Sequence, residues 1–269
     1  MFFFHYLLLN KKYINLSFNY MEKKRYLKKF NSQSDYDSQK DSVMNMPHVV
    51  LLEDTKEMVF ASENETPSDP FNGYEYVDLG LPSGTLWAKS NVGAESEEDY
   101  GLYFAWGSTV GATYEEVENQ TFTFSTNGNA VKYIESDGNP TKYNSTDGKT
   151  VLDLEDDAAH VHMGGDWHMP TKEQFEELTA NTTSTWATQN GVDGKIFTSN
   201  INGNFLFVPA AGSANDSGMS GVGSHGNVWA SSVRSSSSEN SWRLAFFSIL
   251  TSVTNYSRVT GFSVRGVVG

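Results

Sequence analysis

The groups with which this 269-residue chain could do acid–base or metal chemistry are its 6 histidines and 33 Asp and Glu residues. His160, His162 and His168 lie close together in sequence. His160 and His162 stand two apart, so a helix turns them to different faces. Zinc sites built on a helix favour i,i+4 spacing or cysteine, and the chain has no Cys. These histidines are therefore read as polar or packing residues on a helix and its exit loop. Asp156 and His160, four apart, are read as a helix-surface pair rather than a catalytic dyad. The acidic run Glu95, Glu97, Glu98 and Asp99 lacks the alternating Asp/Asn and the closing bidentate Glu of a calcium loop, so a solvated loop is expected. No G-x-S-x-G elbow and no phosphate-binding glycine loop occurs. Ser231 and Ser232 have no obvious basic partner to activate them. With no Cys there is no disulfide, thiolate metal site or cysteine nucleophile. We assign no catalytic residue, no metal ligand and no cofactor.

Recognition chemistry concentrates in residues 221–269, which combine Ser, Asn, aromatics and short apolar runs. Contact residues are expected at His225, Asn227, Arg234, Ser235, Asn240, Arg243, Phe247, Leu250, Thr251, Thr254, Tyr256 and Arg258, all taken to be exposed. Tyr, Ser, Asn and Arg are the residues of adaptable paratopes, giving large contact area at low entropy cost together with flexible hydrogen bonding. Trp229, Phe262, Val264 and Arg265 are read as framework between them. Arg265 is expected to sit partly buried against a carboxylate of the body. Trp87, Trp106 and Trp167 are also read as core, because one Trp buries roughly 150–250 Å²; Trp242 is a weaker core candidate.

Charge separates this tail from the rest. Residues 61–216 hold 6 Lys/Arg against 25 Asp/Glu, whereas residues 217–269 hold 4 Arg against 1 Glu. An acidic body argues against nucleic acid as partner, since phosphate contacts need clustered Lys and Arg. No stretch approaches the roughly 20 apolar residues of a membrane helix. The opening MFFFHYLLLN has neither a basic n-region nor a small-residue cleavage site, so it is a poor signal peptide. Residues 1–20 are read as a disordered tail or as an extension upstream of a start at Met21.

The elements that must position the tail follow in order. Residues 21–62 read as a small attachment or assembly unit. A short helix runs from Ser32 or Ser34 to Lys40, then come strands His48–Glu53 and Glu57–Ala61 around an Asp54-Thr55-Lys56 turn. A lone hairpin is marginal in water, so this unit is expected to pack on the main domain, to form a homo-oligomer, or to join a virion or surface assembly. Residues 63–72 are an acidic, proline-containing linker, and the main domain spans 73–269. Strands are expected at Glu75–Leu79, Thr85–Ser90, within YGLYFAWGS, at Ile196–Ser199 and at Asn204–Pro209. Residues 109–150 form a polar insertion with no clear chemistry. A helix is expected over Leu152–Met163, with carboxylates in its first turn and Gly164 past its end. Thr171 and Gln174 form a capping box for a second helix, which turns Phe175 and Leu178 inward.

The blocks VDLGLPSGTLWAKSNVGA, YGLYFAWGST, DDAAHVHMGGDWHMPTKEQFEEL, FLFVPAAG, VWASS and GFSVRGV, in this order, resemble the Fibrobacter succinogenes major paralogous domain from about Tyr74 to Val268. That family is related to the formylglycine-generating-enzyme type of C-type-lectin-like fold. The resemblance implies an α+β domain with two short helices, small antiparallel sheets and extensive loops. Formylglycine-generating enzymes use active-site cysteines and copper, which this chain cannot reproduce. Calcium-dependent lectins use EPN or QPD tripeptides and a WND motif, and none is present; Asn139-Pro140 lacks the flanking carboxylate. The tail further resembles variable proteins of diversity-generating retroelements, whose adenine mutagenesis of AAC codons never yields Lys, Glu, Gln, Met or Trp. None of those five occurs from Arg243 to Gly269. The N-terminal segment resembles openings of structural proteins of gut Bacteroidetes and their phages. The resemblances imply a non-enzymatic binder of a cell-surface protein or glycan, set on an extracellular surface or a virion. Alternatives are a structural surface subunit without a variable site, or a divergent formylglycine-generating, sulfatase-modifying enzyme.

Overall fold

Strand-forming residues and tight turns dominate the computed structural model, which describes residues 27–30, 48–52, 58–61, 71–125, 131–135 and 137–269. The architecture is mainly β, with small antiparallel and mixed sheets and few, short helices. Contacts divide the chain into two units, Met1–Glu65 and Thr66–Gly269.

In the first unit, β2 (His48–Leu52) and β3 (Met58–Ala61) pair antiparallel, with Val49 opposite Phe60. The expected hairpin therefore forms. It gains a strand that the apolar pattern did not announce, β1 (Leu27–Phe30), parallel to β2. The lysine-bearing LKKF lacks the apolar run by which a strand is recognised. The expected helix ending at Lys40 and the Asp54-Thr55-Lys56 turn lie outside the described residues.

The first described residue of the second unit is Phe71, whose ring meets Trp167 edge-on at 5.7 Å, so the end of the expected linker is packed. Next come β4 (Tyr76–Asp78), β5 (Leu86–Asn91) and the two-residue β6 (Tyr103–Phe104). A one-turn helix, α1 (Tyr114–Glu118), was not anticipated, yet Thr113 and Glu116 make a reciprocal capping box at its start. The helix expected over Leu152–Met163 is broken. A 3-10 turn covers Leu154–Asp156, Asp157 is extended, and α2 spans only Ala158–Met163. The break has a local cause: the Asp157 carboxylate accepts from the His160 and Met169 backbone N–H groups at 2.9 and 2.8 Å, which fixes it as the N-cap. Helix α3 (Lys172–Asn181) starts at the expected capping box and buries Phe175 and Leu178.

The Thr-rich β7 (Thr182–Gln189) pairs with β8 (Val192–Ser199), and β8 with β9 (Phe205–Pro209). A small hairpin, β10 (Ser213–Asn215) and β11 (Gly218–Ser220), follows. The tail supplies β12 (Gly226–Val233), β13 (Asn240–Phe247), β14 (Leu250–Ser257), β15 (Phe262–Ser263) and β16 (Arg265–Val268). These make a five-stranded sheet, β14-β13-β12-β15-β6, in which β12 and β15 run parallel. Strand β16 leaves that sheet and pairs with β5. The end of the tail is thus stitched into the start of the unit.

Two apolar clusters flank these strands. One joins Trp87, Phe175, Leu178, Phe197, Leu244 and Phe246; the other joins Trp106, Tyr143, Met163, Trp167, Trp229 and Phe262. The four framework tryptophans are all fully buried, and Trp242 is half-buried against the first cluster. The indoles of Trp106, Trp167 and Trp229 each donate to a backbone carbonyl, of Ala230, Phe71 and Phe104 respectively. Those bonds satisfy the polar edge that burial would otherwise leave unpaired.

Candidate recognition face

Register decides which tail residues can act together. Residues directly opposite one another in an antiparallel pair share a face, and neighbours along a strand alternate. Strands β13 and β14 meet at a two-residue turn, Ser248-Ile249, with Phe247 opposite Leu250. From there Ala245 faces Ser252, Arg243 faces Thr254 and Ser241 faces Tyr256. On the next strand Asn227 lies opposite Ala245, and Trp229 opposite Arg243. The alternate set, Trp242, Leu244 and Phe246 with Val253, turns to the apolar core.

One face therefore collects His225, Asn227, Arg243, Phe247, Leu250, Thr254 and Tyr256. The His225 ring lies 5.8 Å from that of Phe247. Leu250 is 49% exposed and Tyr256 47%. Ile249, at the tip of the turn, is 88% exposed; in AFFSILTSV nothing local marks a turn at residues 248 and 249, so its exposure is not legible in sequence. Strand β14 is the edge of its sheet.

Arg243 is the charged centre of this face. Its guanidinium is stacked 4.4 Å from the Tyr256 ring centroid and 4.8 Å from that of Phe262. Its Nη1 donates to Asn227 Oδ1, while Asn227 Nδ2 donates to the Gly212 carbonyl at 2.8 Å, which fixes the amide. Burial lowers its pKa to about 10, which leaves it protonated at neutral pH. Asn227 is 7% exposed, which corrects its expected place as a contact residue: it holds Arg243 from the neighbouring strand.

The other expected contact residues separate. Arg234, Ser235 and Asn240 sit at the far end of the hairpin, where Arg234 Nη1 donates to Asn255 Oδ1 at 3.0 Å. Thr251 is on the core-directed side, with its hydroxyl 3.1 Å from that of Ser184. Arg258, expected to be exposed, is 1% exposed. It lies 4.4 Å over the Trp106 ring and donates to the backbone carbonyls of Lys142 and Tyr143 at 3.0 and 2.5 Å. A planar, weakly hydrated guanidinium can be buried against an indole when carbonyls take its protons.

Two cations anchor the tail from below. Arg265 is expected to meet a carboxylate, but among the described residues it meets none. Its Nε donates to Asn91 Oδ1 at 2.9 Å, and its Nη1 reaches the Ala88, Lys89 and Phe207 carbonyls at 3.1, 2.8 and 3.2 Å. Lys195 on β8 is buried, and its Nζ donates to the Phe247 and Leu250 carbonyls at 3.0 and 3.1 Å. Those two carbonyls flank the hairpin turn. Desolvation lowers the Lys195 pKa. Nothing in GKIF marks this lysine as buried.

Elsewhere the titratable groups are engaged with one another. Asp156 is fully buried rather than paired with His160 on a helix surface. It accepts from Lys132 Nζ at 2.5 Å, Tyr133 Oη at 2.8 Å, Lys142 Nζ at 2.6 Å and Tyr143 Oη at 2.5 Å. All four donors come from the insertion that was expected to carry no chemistry. Burial pushes the Asp156 pKa up, but these hydrogen bonds outweigh it and hold it well below the ordinary range. Asp153, Glu155 and Asp156 are close enough together for a cation. Lys142 Nζ lies 2.8, 3.4 and 2.6 Å from their oxygens, so an ammonium fills that place. His160 Nδ1 lies 3.1 Å from the Trp167 carbonyl and His162 Nε2 3.0 Å from that of Thr109, consistent with packing roles. The Glu95–Asp99 segment is more engaged than a solvated loop. Glu97 pairs with Lys89 at 3.0 Å, Glu98 accepts from Gln189 and Asn190 at 2.7 Å each, and an open cleft of about 390 Å³ lies beside them.

Among the described residues, no helix is long and apolar enough to cross a membrane. Compared with known protein families, with curated proteins and with solved structures, the chain matches none of them.

Proposed function

We propose that this chain is a non-enzymatic, C-type-lectin-like binding protein whose recognition surface is the exposed part of the β13–β14 hairpin, its turn and the face around Arg243. The observation that carries the reading is the gathering, on one face of an edge hairpin, of an exposed aliphatic tip, two aromatic rings, hydroxyls and a guanidinium. Lys195, Arg258 and Arg265 support it, because they hold the tail largely through backbone carbonyls. Such bonds do not depend on which side chains the outer face presents. That independence suits a surface whose residues vary, and it agrees with a tail diversified through adenine mutagenesis. The ligand is a cell-surface protein or glycan, and the first unit serves attachment or assembly on a cell surface or virion.

The test is capture of the full chain on arrays of glycans and purified cell-surface proteins. Replacing Phe247, Leu250 and Tyr256 together by Ala should abolish capture while the thermal transition persists. A triple variant that keeps the parent's targets excludes this face. Diversification has its own check in the neighbouring DNA: a near-copy of the codons for residues 221–265, differing only at adenines and beside a reverse transcriptase.

A further inference from the structure

Among the described residues, Arg243 is a cation without an anion. Its guanidinium has no carboxylate partner among the described residues, and the one hydrogen bond it makes is Nη1 to Asn227 Oδ1. Its Nε is buried with no acceptor. Nη2, which shares the Nε edge, has no partner and is not among the buried unpaired atoms, so it is open to solvent. A carboxylate reaches Nη2 as the protein stands, and a small shift of the side chains over Nε completes the side-on bidentate geometry in which Arg exceeds Lys. The group is also preorganised. Tyr256 and Phe262 hold its plane, and the Asn227 amide, tied to Gly212, fixes its rotation about that plane. Little side-chain entropy remains to be lost on binding.

The surroundings favour an anion. By register this face carries Ala245, Phe247, Leu250, Ser252, Thr254 and Tyr256 around Arg243, and no Asp or Glu. The single acidic residue of the tail, Glu239, lies at the far end of the hairpin, where its carbonyl accepts from the Arg258 backbone N–H. The Thr254 hydroxyl is directly across from Arg243 and adds a donor of the right kind. We propose that Arg243 is the specificity centre of the face and binds a carboxylate side chain of a protein ligand, next to an aliphatic side chain that covers the Phe247, Ile249 and Leu250 tip. This rests on the recognition reading above and narrows it to acidic–apolar protein epitopes.

A protein suits this face better than an acidic sugar. The tip, with Ile249 88% and Leu250 49% exposed, offers aliphatic area that buries well against another protein's side chains and poorly against hydroxyls.

The experiment titrates the ¹⁵N-labelled full chain with acetyl-Ala-Leu-Glu-Leu-Ala-amide, with its Gln counterpart, and with sialyllactose. The readouts are the Arg243 Nε–H resonance and the backbone amides of β13 and β14. The Glu peptide should shift the Arg243 resonance and bind at least about tenfold more tightly than the Gln peptide. R243Q should erase that preference and R243K should keep part of it. The Glu-to-Gln ratio of the parent chain needs no variant, so misfolding of either substitution leaves the test intact. Equal binding of the two peptides, tighter binding of sialyllactose, or no shift at Arg243 overturns the proposal. If the array captures ligands through the face while these peptides do not discriminate, only the carboxylate site fails. If the array captures nothing, the recognition reading fails with it.

Discussion

At Asp156 a carboxylate is taken wholly out of water and remains ionised because two ammoniums and two phenols converge on it. Removing one partner from such a centre costs far more than the intact centre contributes, since the remaining charges stay desolvated. Asp156→Asn is expected to lower stability by about 3 kcal/mol at neutral pH, measured by urea unfolding. The pH dependence follows from the depressed pKa. A carboxyl whose folded pKa lies below its unfolded value, near 3.8, contributes stability that is present above that value. It is lost as pH falls from about 4 through the lower folded pKa. Asp153, held to about 2 by hydrogen bonds from Lys142 and Lys149, acts in the same direction. Asp157, raised by burial, opposes them, because its burial penalty is relieved on protonation. The deficit of the Asn variant should therefore shrink as pH falls toward 2.5; a gap that stays constant would remove Asp156 from this role. The insertion gave no hint of the centre, because its lysines and tyrosines are scattered over residues 132–143 and become neighbours only when the chain folds over Asp156.

The β13–β14 hairpin shows how an element is held without its own side chains. Lys195 carries no carboxylate partner among the described residues and donates to the two carbonyls that flank the turn. A buried lysine so placed contributes geometry more than net stability, since its desolvation offsets its hydrogen bonds. Lys195→Met, of similar length, is expected to leave global stability unchanged or raise it by about 1 kcal/mol. Amide hydrogen exchange at Ser248, Ile249 and Leu250 should accelerate by about tenfold as local opening becomes easier. Unaltered exchange at those three amides would show that the turn holds itself. Strand period made the two sides of this hairpin partly legible in sequence, as Leu244 and Phe246 alternate with Arg243, Ala245 and Phe247. The facing of Thr251 was not legible. It depends on pairing register, and a one-residue shift moves every side chain to the other side.

At the scale of the whole molecule, the chain divides between Glu65 and Thr66. The second unit closes on itself, because β16 at the end of the tail pairs with β5 near the unit's start. Residues 66–269 alone are expected to unfold cooperatively within about 3 °C of the corresponding transition of the full chain, measured by calorimetry. A fragment with no cooperative transition would show that the first unit is needed for folding. By itself the sequence determined the tryptophan core, the α3 capping box, the antiparallel pairing of β2 with β3, and a tail rich in Ser, Asn, aromatics and Arg. These follow from local chemistry: large apolar groups leave water, a threonine three residues before a glutamine caps a helix, and apolar runs around a turn pair. Tertiary structure alone decided that Asn227 and Arg258 are buried, that Arg265 bonds carbonyls instead of a carboxylate, that Lys195 lies under the turn, and that Arg243 has no counter-ion among the described residues. The burial and partners of a polar side chain depend on distant segments, such as residues 142–143 for Arg258 and 88–91 for Arg265, and local sequence carries no record of them.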